Sequence, residues 1–283
     1  MEIRKIGVLG AGQMGGGIAQ IAATSGFEVV VRDIKMEYCE RGLANICRSL
    51  DKRIEKGKLT VEEKEKIVSR ISLTDQLEAM SECDMIIEAA PEDLQIKQDL
   101  FEALDRICNK ECILCTNTSS MSIEKIMEKT VIKERCCGMH FFFPVAAMRL
   151  VEVIRFDATS DETVEAVKAV AAAMGKEAVL CKTDTPGFIV NRCLFAMMLE
   201  AVHCYEMGVA TPEDIDKALK LGLNHPMGPF EMMDMSGLDT FPHVCESLVS
   251  LPITDWSTPE SVEQLVSEGR FGRKNGHGWY DYN

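Results

Sequence analysis

Residues 7–17 read GVLGAGQMGGG, and no other stretch limits the fold as tightly. Gly10, Gly12 and Gly15 stand in G-x-G-x-x-G register behind the short apolar run KIGVLG. In such a loop the first glycine permits a tight turn and the second lets backbone approach a pyrophosphate. The third lets the following helix pack close to the strand. That helix is expected from about Gly15 to Ser25, with its first N–H groups turned toward the phosphates. The next apolar run, EVVVRD, ends on Asp33, 18 residues past Gly15. An acid there accepts hydrogen bonds from the adenosine ribose and would repel a 2′-phosphate. Strand, glycine turn, helix and acid in this order read as a dinucleotide site that favours NAD. Arg32 and Lys35 beside the acid leave room for NADP. A glycine-rich turn in some other α/β protein would match the register, but not the whole order of elements.

Strands and helices go on alternating to about residue 184. DMIIEAA, CILCTN, CCGMHFF, LVEVIR and AVLCK are further strand candidates. Residues 36–70 read as a pair of helices, the second opening on Thr60 and Glu63 at capping-box spacing. Such alternation predicts an α/β fold: a Rossmann-type, doubly wound, mostly parallel sheet covered by helices. After KTDTPGF the strands give way to helical patterns. FIVNRCLFAMMLEAVHCYEMG is apolar nearly all round, which predicts burial in a core or against a second subunit. TPEDIDKAL opens a helix with Thr211 as cap and Pro212 in its first turn. The expected domains are residues 1–184, binding the dinucleotide, and residues 185–283, all-α.

A formal charge of −14 argues against nucleic acid as a partner. It leaves a small anionic ligand open, because a local basic patch can outvote the global charge. The chain runs at once into strand residues, IRKIGVLG, without a charged-then-apolar leader, and no stretch reads as a membrane span. A cytoplasmic location is expected. Twelve cysteines in a chain this long and apolar read as free thiols in a reducing compartment. Cys108, Cys112 and Cys115 have a spacing that can hold an iron–sulfur cluster. Yet ECILCTNTSS reads as a buried strand, whereas cluster ligands sit on loops.

CGMHFFFPVAAMRLVEVI, residues 137–154, places two ionisable groups in apolar surroundings. His140 would end one strand, and Glu152 would lie in the next. A lone histidine beside phenylalanine is ordinarily a satisfied core residue. A glutamate between Val151 and Val153, however, would be a costly unpaired charge unless it meets a partner. An imidazole titrating near neutrality can take or return a hydroxyl proton. A carboxylate on its other nitrogen would fix the tautomer and stabilise the imidazolium.

Beyond these groups, the chain resembles the 3-hydroxyacyl-CoA dehydrogenase family, especially its short bacterial members, nearly end to end. The motifs include GAGQMGGGIAQ, IIEAAPEDLQIK, TNTSS, TPGFIVNR, NHPMGPFEMMDMSGLD and GRKNGHGWYDY. The resemblance implies reversible oxidation of an L-3-hydroxyacyl-CoA to the 3-ketoacyl-CoA with NAD, as in fatty acid and butyrate metabolism. It also implies a helical second domain used for homodimerisation. By motif position it gives His140 as the base, Glu152 as its carboxylate partner, and Ser119 and Asn191 as polar substrate contacts. Glu92 and Lys97 fall near the nicotinamide half of the cofactor. Ser49 and Lys56, with Lys52 beside them, fall at the CoA end. Read without the family, Ser119 stands beside a helix start capped by Ser122, and the lysines could form a solvated helix face.

The resemblance breaks at one place. The family writes His-Phe-Phe-Asn-Pro and soon another proline; this chain has Phe143 and Ala147 at those two positions. Phenylalanine is larger than asparagine and forms no hydrogen bond, so acyl chain length and efficiency are open. Two other readings follow: a 3-hydroxy acid dehydrogenase whose substrate lacks CoA, and a cofactor-binding relative with little turnover.

Overall fold

Short apolar runs, each stopped by a glycine, proline or polar turn, build the sheet that organises the first unit of the chain. The computed structural model describes residues 2–242, 245 and 257–282, and divides into two units, Met1–Thr185 and Pro186–Asn283. The first unit begins β1 (Lys5–Leu9), α1 (Gln13–Thr24), β2 (Glu28–Arg32), α2 (Met36–Glu55), α3 (Val61–Ser69) and β3 (Ile71–Thr74). It continues β4 (Met85–Glu88), α4 (Leu94–Ile107), β5 (Ile113–Thr116), α5 (Ile123–Ile126) and β6 (Cys136–Phe141). It ends β7 (Leu150–Ile154), α6 (Asp161–Ala173) and β8 (Glu177–Cys181).

These strands form one eight-stranded sheet in the order β3-β2-β1-β4-β5-β6-β7-β8. The first six are parallel; β7 runs antiparallel to β6, and β8 parallel to β7. Every residue of β4, β5 and β6 is buried, which is why these strands read as continuous apolar runs without alternation. Strand order reverses between β1 and β4, and ligands of open α/β sheets settle in the crevice beyond the strand ends at such a switch point.

The doubly wound, mostly parallel sheet is as the sequence predicts, with two differences. β3, ISLT, is a four-residue edge strand with no fully buried residue, too short and too polar to read as a strand. α1 starts at Gln13, not Gly15, because Gly12 itself takes the cap position, with no side-chain cap. The capping box of α3 is present: Glu63 N–H donates to Thr60 Oγ1 at 3.2 Å, and Thr60 N–H to the Glu63 carboxylate at 2.8 Å.

The second unit contains α7 (Val190–Glu206), α8 (Pro212–Gly222), α9 (Pro229–Ser236) and a later helix, Glu260–Ser267. Thr211 caps α8 as expected, with Pro212 in its first turn. Only part of α7 is buried within the single chain. Met198, Leu199, Ala201 and Val202 are core, whereas Cys193 and Ala196 are exposed. One flank of the helix's first half is therefore uncovered in the single chain. Asp234, fully buried, accepts N–H bonds from Trp279 at 2.8 Å and Tyr280 at 3.1 Å, fastening the closing GHGWYDY segment.

Candidate active site

The glycine loop joins β1 to α1 at the switch point. A Cβ on Gly15 would stand 1.8 Å from the Gly10 carbonyl oxygen, and one on Gly10 would stand 2.4 Å from the Ala89 oxygen. A Cβ on Gly12 would meet nothing within 4 Å. Gly10 and Gly15 are thus required by the protein itself, while Gly12 faces open space. α1 has no acidic residue in its first turn and no side-chain cap, so its leading N–H groups are left for a ligand.

Asp33 lies one residue past β2. Its carboxylate accepts the N–H of Ala11 at 2.7 Å and of Ile34 at 2.7 Å, so it also braces the loop. Around these groups runs a cleft of about 570 Å³, lined by Gly10, Gly12, Asp33, Tyr38, Ile96 and Leu100 among others. Apolar walls, bare helix N–H groups and a carboxylate at the far end suit a dinucleotide, so the residues present fit NAD.

Met14, Ala89 and Ala90 line this cleft and also a second cavity of about 310 Å³. The second cavity is bordered by Glu92, Lys97, Asn117, Ser119, His140 and Phe143. His140 is the fifth residue of β6 and pairs in register with Glu152 of β7. Its Nδ1 lies 2.8 Å from Glu152 Oε2, and the two residues are 5 % and 0 % exposed. A carboxylate only accepts, so with Glu152 in that form the bond assigns the proton to Nδ1 and makes Nε2 the basic nitrogen. Phe142 packs on the imidazole with ring centroids 4.5 Å apart.

On the same cavity, a polar network joins the segments that follow β4 and β5. Glu92 accepts from Thr118 Oγ1 at 3.0 Å, Ser119 N–H at 2.9 Å and Ser119 Oγ at 3.3 Å. Lys97, expected near the cofactor, lines the cavity but is almost wholly buried: Nζ lies 2.7 Å from Glu88, 3.3 Å from the Ala90 carbonyl and 3.4 Å from Glu92. Its geometry is that of a brace for this wall.

Two contributors escaped the sequence reading. Glu88, fully buried at the end of β4, also accepts from Thr116 Oγ1 and the Ala90 N–H, each at 2.6 Å. Its signal was available: a glutamate closing the apolar run DMII, the same anomaly that singled out Glu152. Asn117 accepts the Phe141 N–H at 2.8 Å beside His140, and was hidden inside TNTSS.

The remaining expected residues lie elsewhere. Ser49 and Lys52 are on the last turns of α2 and Lys56 follows it; none lines the His140 cavity. Asn191 is the second residue of α7, in the second unit. Cys115 lies inside β5, and among the described residues no group of three or more His, Cys, Asp or Glu could hold a metal. Among the described residues no helix is long and apolar enough to cross a membrane.

Comparison with known proteins agrees over the whole length. The family profile "3-hydroxyacyl-CoA dehydrogenase, NAD binding domain" matches residues 5–185, and "3-hydroxyacyl-CoA dehydrogenase, C-terminal domain" matches 187–282. A probable 3-hydroxybutyryl-CoA dehydrogenase of Bacillus subtilis is 46% identical over 283 residues, covering 100% of this chain and 98% of that one. The human mitochondrial hydroxyacyl-coenzyme A dehydrogenase is 40% identical over 288 residues, covering 99% of this chain and 91% of that one. The crystal structure of (S)-3-hydroxybutyryl-CoA dehydrogenase from Ralstonia eutropha superposes with a TM-score of 0.96 at 40% identity, each chain fully covered. With both profiles matched in order and the glycine-loop cleft adjoining the His140 cavity, the chain belongs to the 3-hydroxyacyl-CoA dehydrogenase family, whose N-terminal domain binds NAD.

Proposed function

We propose that this protein interconverts an L-3-hydroxyacyl-CoA and the 3-ketoacyl-CoA, with 3-hydroxybutyryl-CoA and acetoacetyl-CoA as the reference pair. The observation that carries the reading is the buried His140–Glu152 pair, opening on a cavity that adjoins the glycine-loop cleft. NAD bound in that cleft supplies the acceptor for the hydride that leaves carbon 3. Its phosphates would lie on the N–H groups around Gly12, and its adenosine ribose on Asp33.

The chain's own part is the proton. His140 Nε2 takes the proton of the carbon 3 hydroxyl, and Glu152 stabilises the imidazolium that results. In reduction the imidazolium returns it. Ser119 and Asn191 orient the reacting carbonyl, and Glu92 fixes the orientation of Ser119. Glu88 and Lys97 hold the wall between the two cavities. Ser49, Lys52 and Lys56 receive the CoA phosphates and ribose.

The chain works as a homodimer. What supports this is the flank of α7 that bears Cys193 and Ala196, apolar side chains left exposed in the single chain. Twelve cysteines in a chain this long and apolar suit a reducing cytoplasm. The test is direct: mix the purified protein with acetoacetyl-CoA and NADH and follow the absorbance of the reduced nicotinamide. Steady consumption is expected. No consumption, with NADH binding intact, would overturn the reading.

A further inference from the structure

Lys176 is a buried cation that the chemistry above does not use. It sits in the turn between α6 and β8, is 8 % exposed, and donates from Nζ to the carbonyls of Val145 at 2.5 Å and Met148 at 2.7 Å. Among the described residues no carboxylate forms an ion pair with it, and burial pushes its pKa below the usual lysine value. An ammonium without a counter-ion is costly to bury, and two charge-assisted bonds to carbonyls offset part of that cost.

Both carbonyls belong to one small turn. The Pro144 carbonyl accepts the N–H groups of Ala147 at 2.9 Å and Met148 at 3.0 Å. From the other side, Val145 is wedged against α1, so closely that a Cβ on Gly17 would stand 2.8 Å from it. Lysine and helix thus clamp the turn between them.

The residue that leads into the turn is Phe143. It is 62 % exposed, whereas Phe141, two residues earlier, is 2 % exposed. Its ring borders the same cavity as His140, Asn117 and Ser119. One exposed phenylalanine signifies little by itself. This one stands at the rim of the reaction cavity, on a turn that a buried lysine holds rigid. It does not plug the cavity; it offers an apolar surface to whatever extends from it.

Resting on the function proposed above, we infer that Phe143 is the specificity-determining contact for the acyl tail and Lys176 the positioning residue that presents it. The substrate class so selected is a 3-ketoacyl-CoA with apolar carbons beyond carbon 4. Carbon 3 is fixed at His140, so carbons further along the tail are those that can cover the ring. Each methylene covered contributes about fourfold in kcat/KM.

The experiment compares acetoacetyl-, 3-ketohexanoyl- and 3-ketooctanoyl-CoA, with NADH, in the wild type, Phe143→Ala, Lys176→Met, Lys176→Arg and the Phe143→Ala/Lys176→Met double variant. The wild type is expected to favour the six-carbon substrate over the four-carbon one by roughly 15-fold in kcat/KM. Phe143→Ala should flatten that ratio through KM, with the loss growing from the four-carbon to the eight-carbon substrate. Lys176→Met should flatten it too, add nothing in the double variant, and be partly rescued by arginine, which can also donate to two carbonyls. A wild-type ratio that survives Phe143→Ala overturns the inference. So does a Lys176→Met effect equal on all three substrates, which a merely structural role would give. Phe143→Ala carries the test alone if Lys176→Met does not fold. Calorimetric titration of the three ketoacyl-CoAs repeats the comparison without turnover. If nothing is turned over but the affinity ratio still collapses, the tail contact stands and the assigned reaction fails.

Discussion

His140 and Glu152 face each other as register partners of β6 and β7, with Nδ1 2.8 Å from the carboxylate. The antiparallel pairing of these two strands makes the contact, since residues twelve apart in sequence meet only where the chain doubles back. Both ends of the pair rest on sheet backbone, so little reorganisation accompanies proton transfer. We predict that Glu152→Gln lowers kcat about 10²–10⁴-fold while NADH affinity is kept, because the amide cannot stabilise the imidazolium. His140→Ala should abolish turnover with the same retention of NADH. Steady-state kinetics beside a fluorescence titration of NADH decide it; a severe loss of NADH affinity in either variant would assign the pair a structural role.

Glu88 and Lys97 form the most deeply buried ion pair among the described residues, at 0 % and 1 % side-chain exposure. Removing Glu88 leaves the buried Lys97 ammonium with only the longer contact to the part-exposed Glu92, at 3.4 Å. Glu88→Leu is therefore predicted to destabilise the fold by about 3–5 kcal/mol. Glu88→Leu with Lys97→Met should be the milder change, because both charges leave together. Urea unfolding of the two variants checks the order. A double variant less stable than the single would show that the pair's hydrogen bonds matter more than its charge.

Two glycines of the loop separate folding from binding. Gly12→Ala points its methyl into open space, so the melting temperature should hold while NADH affinity drops. Gly15→Ala drives its methyl into the Gly10 carbonyl and should destabilise the unit outright. Thermal melts and NADH titrations on both variants are needed. Undiminished NADH binding by Gly12→Ala would remove the loop from the phosphate site.

What the sequence revealed, and what it concealed, follows from how local each signal is. The glycine loop, its strand and Asp33 are readable because each role needs a particular residue at a fixed spacing. Seven strands were readable because each is built on a run of apolar residues. β3 was not, since ISLT gains its structure from pairing with β2 across a chain separation that no local pattern records. Glu152 stood out as a carboxylate between valines, yet Glu88, which obeys the same logic, passed unnoticed at the end of its run. Its partners Thr116 and Lys97 are 28 and 9 residues away. Lys97 carried a family role, but only the fold shows its ammonium directed at Glu88. α7 marks a different limit: an apolar circumference predicts burial, but does not say how much of it falls in the chain's own core, where only Met198, Leu199, Ala201 and Val202 lie.

Acid stability offers a test at the opposite end of the sheet. Asp105 on α4 and Arg135 before β6 are 7 % and 5 % exposed at the side chain and lie 2.8 Å apart. Burial pushes the Asp105 carboxyl up, but the Arg135 guanidinium and the Val131 N–H, at 2.8 Å, outweigh it and leave the pKa below the usual aspartate value. A carboxyl depressed in the folded state stabilises the fold above its unfolded pKa, about 3.9, and that stability disappears as pH falls through the lower folded value. Asp105→Asn should therefore cost about 3–5 kcal/mol at neutral pH, where it strands a buried guanidinium. Its gap to the wild type should narrow only below about pH 4. Urea midpoints of both proteins from neutrality down to the acid limit of folding give the answer. A gap that does not narrow on acidification would mean that the shape of the aspartate, and not its charge, holds α4 to the sheet.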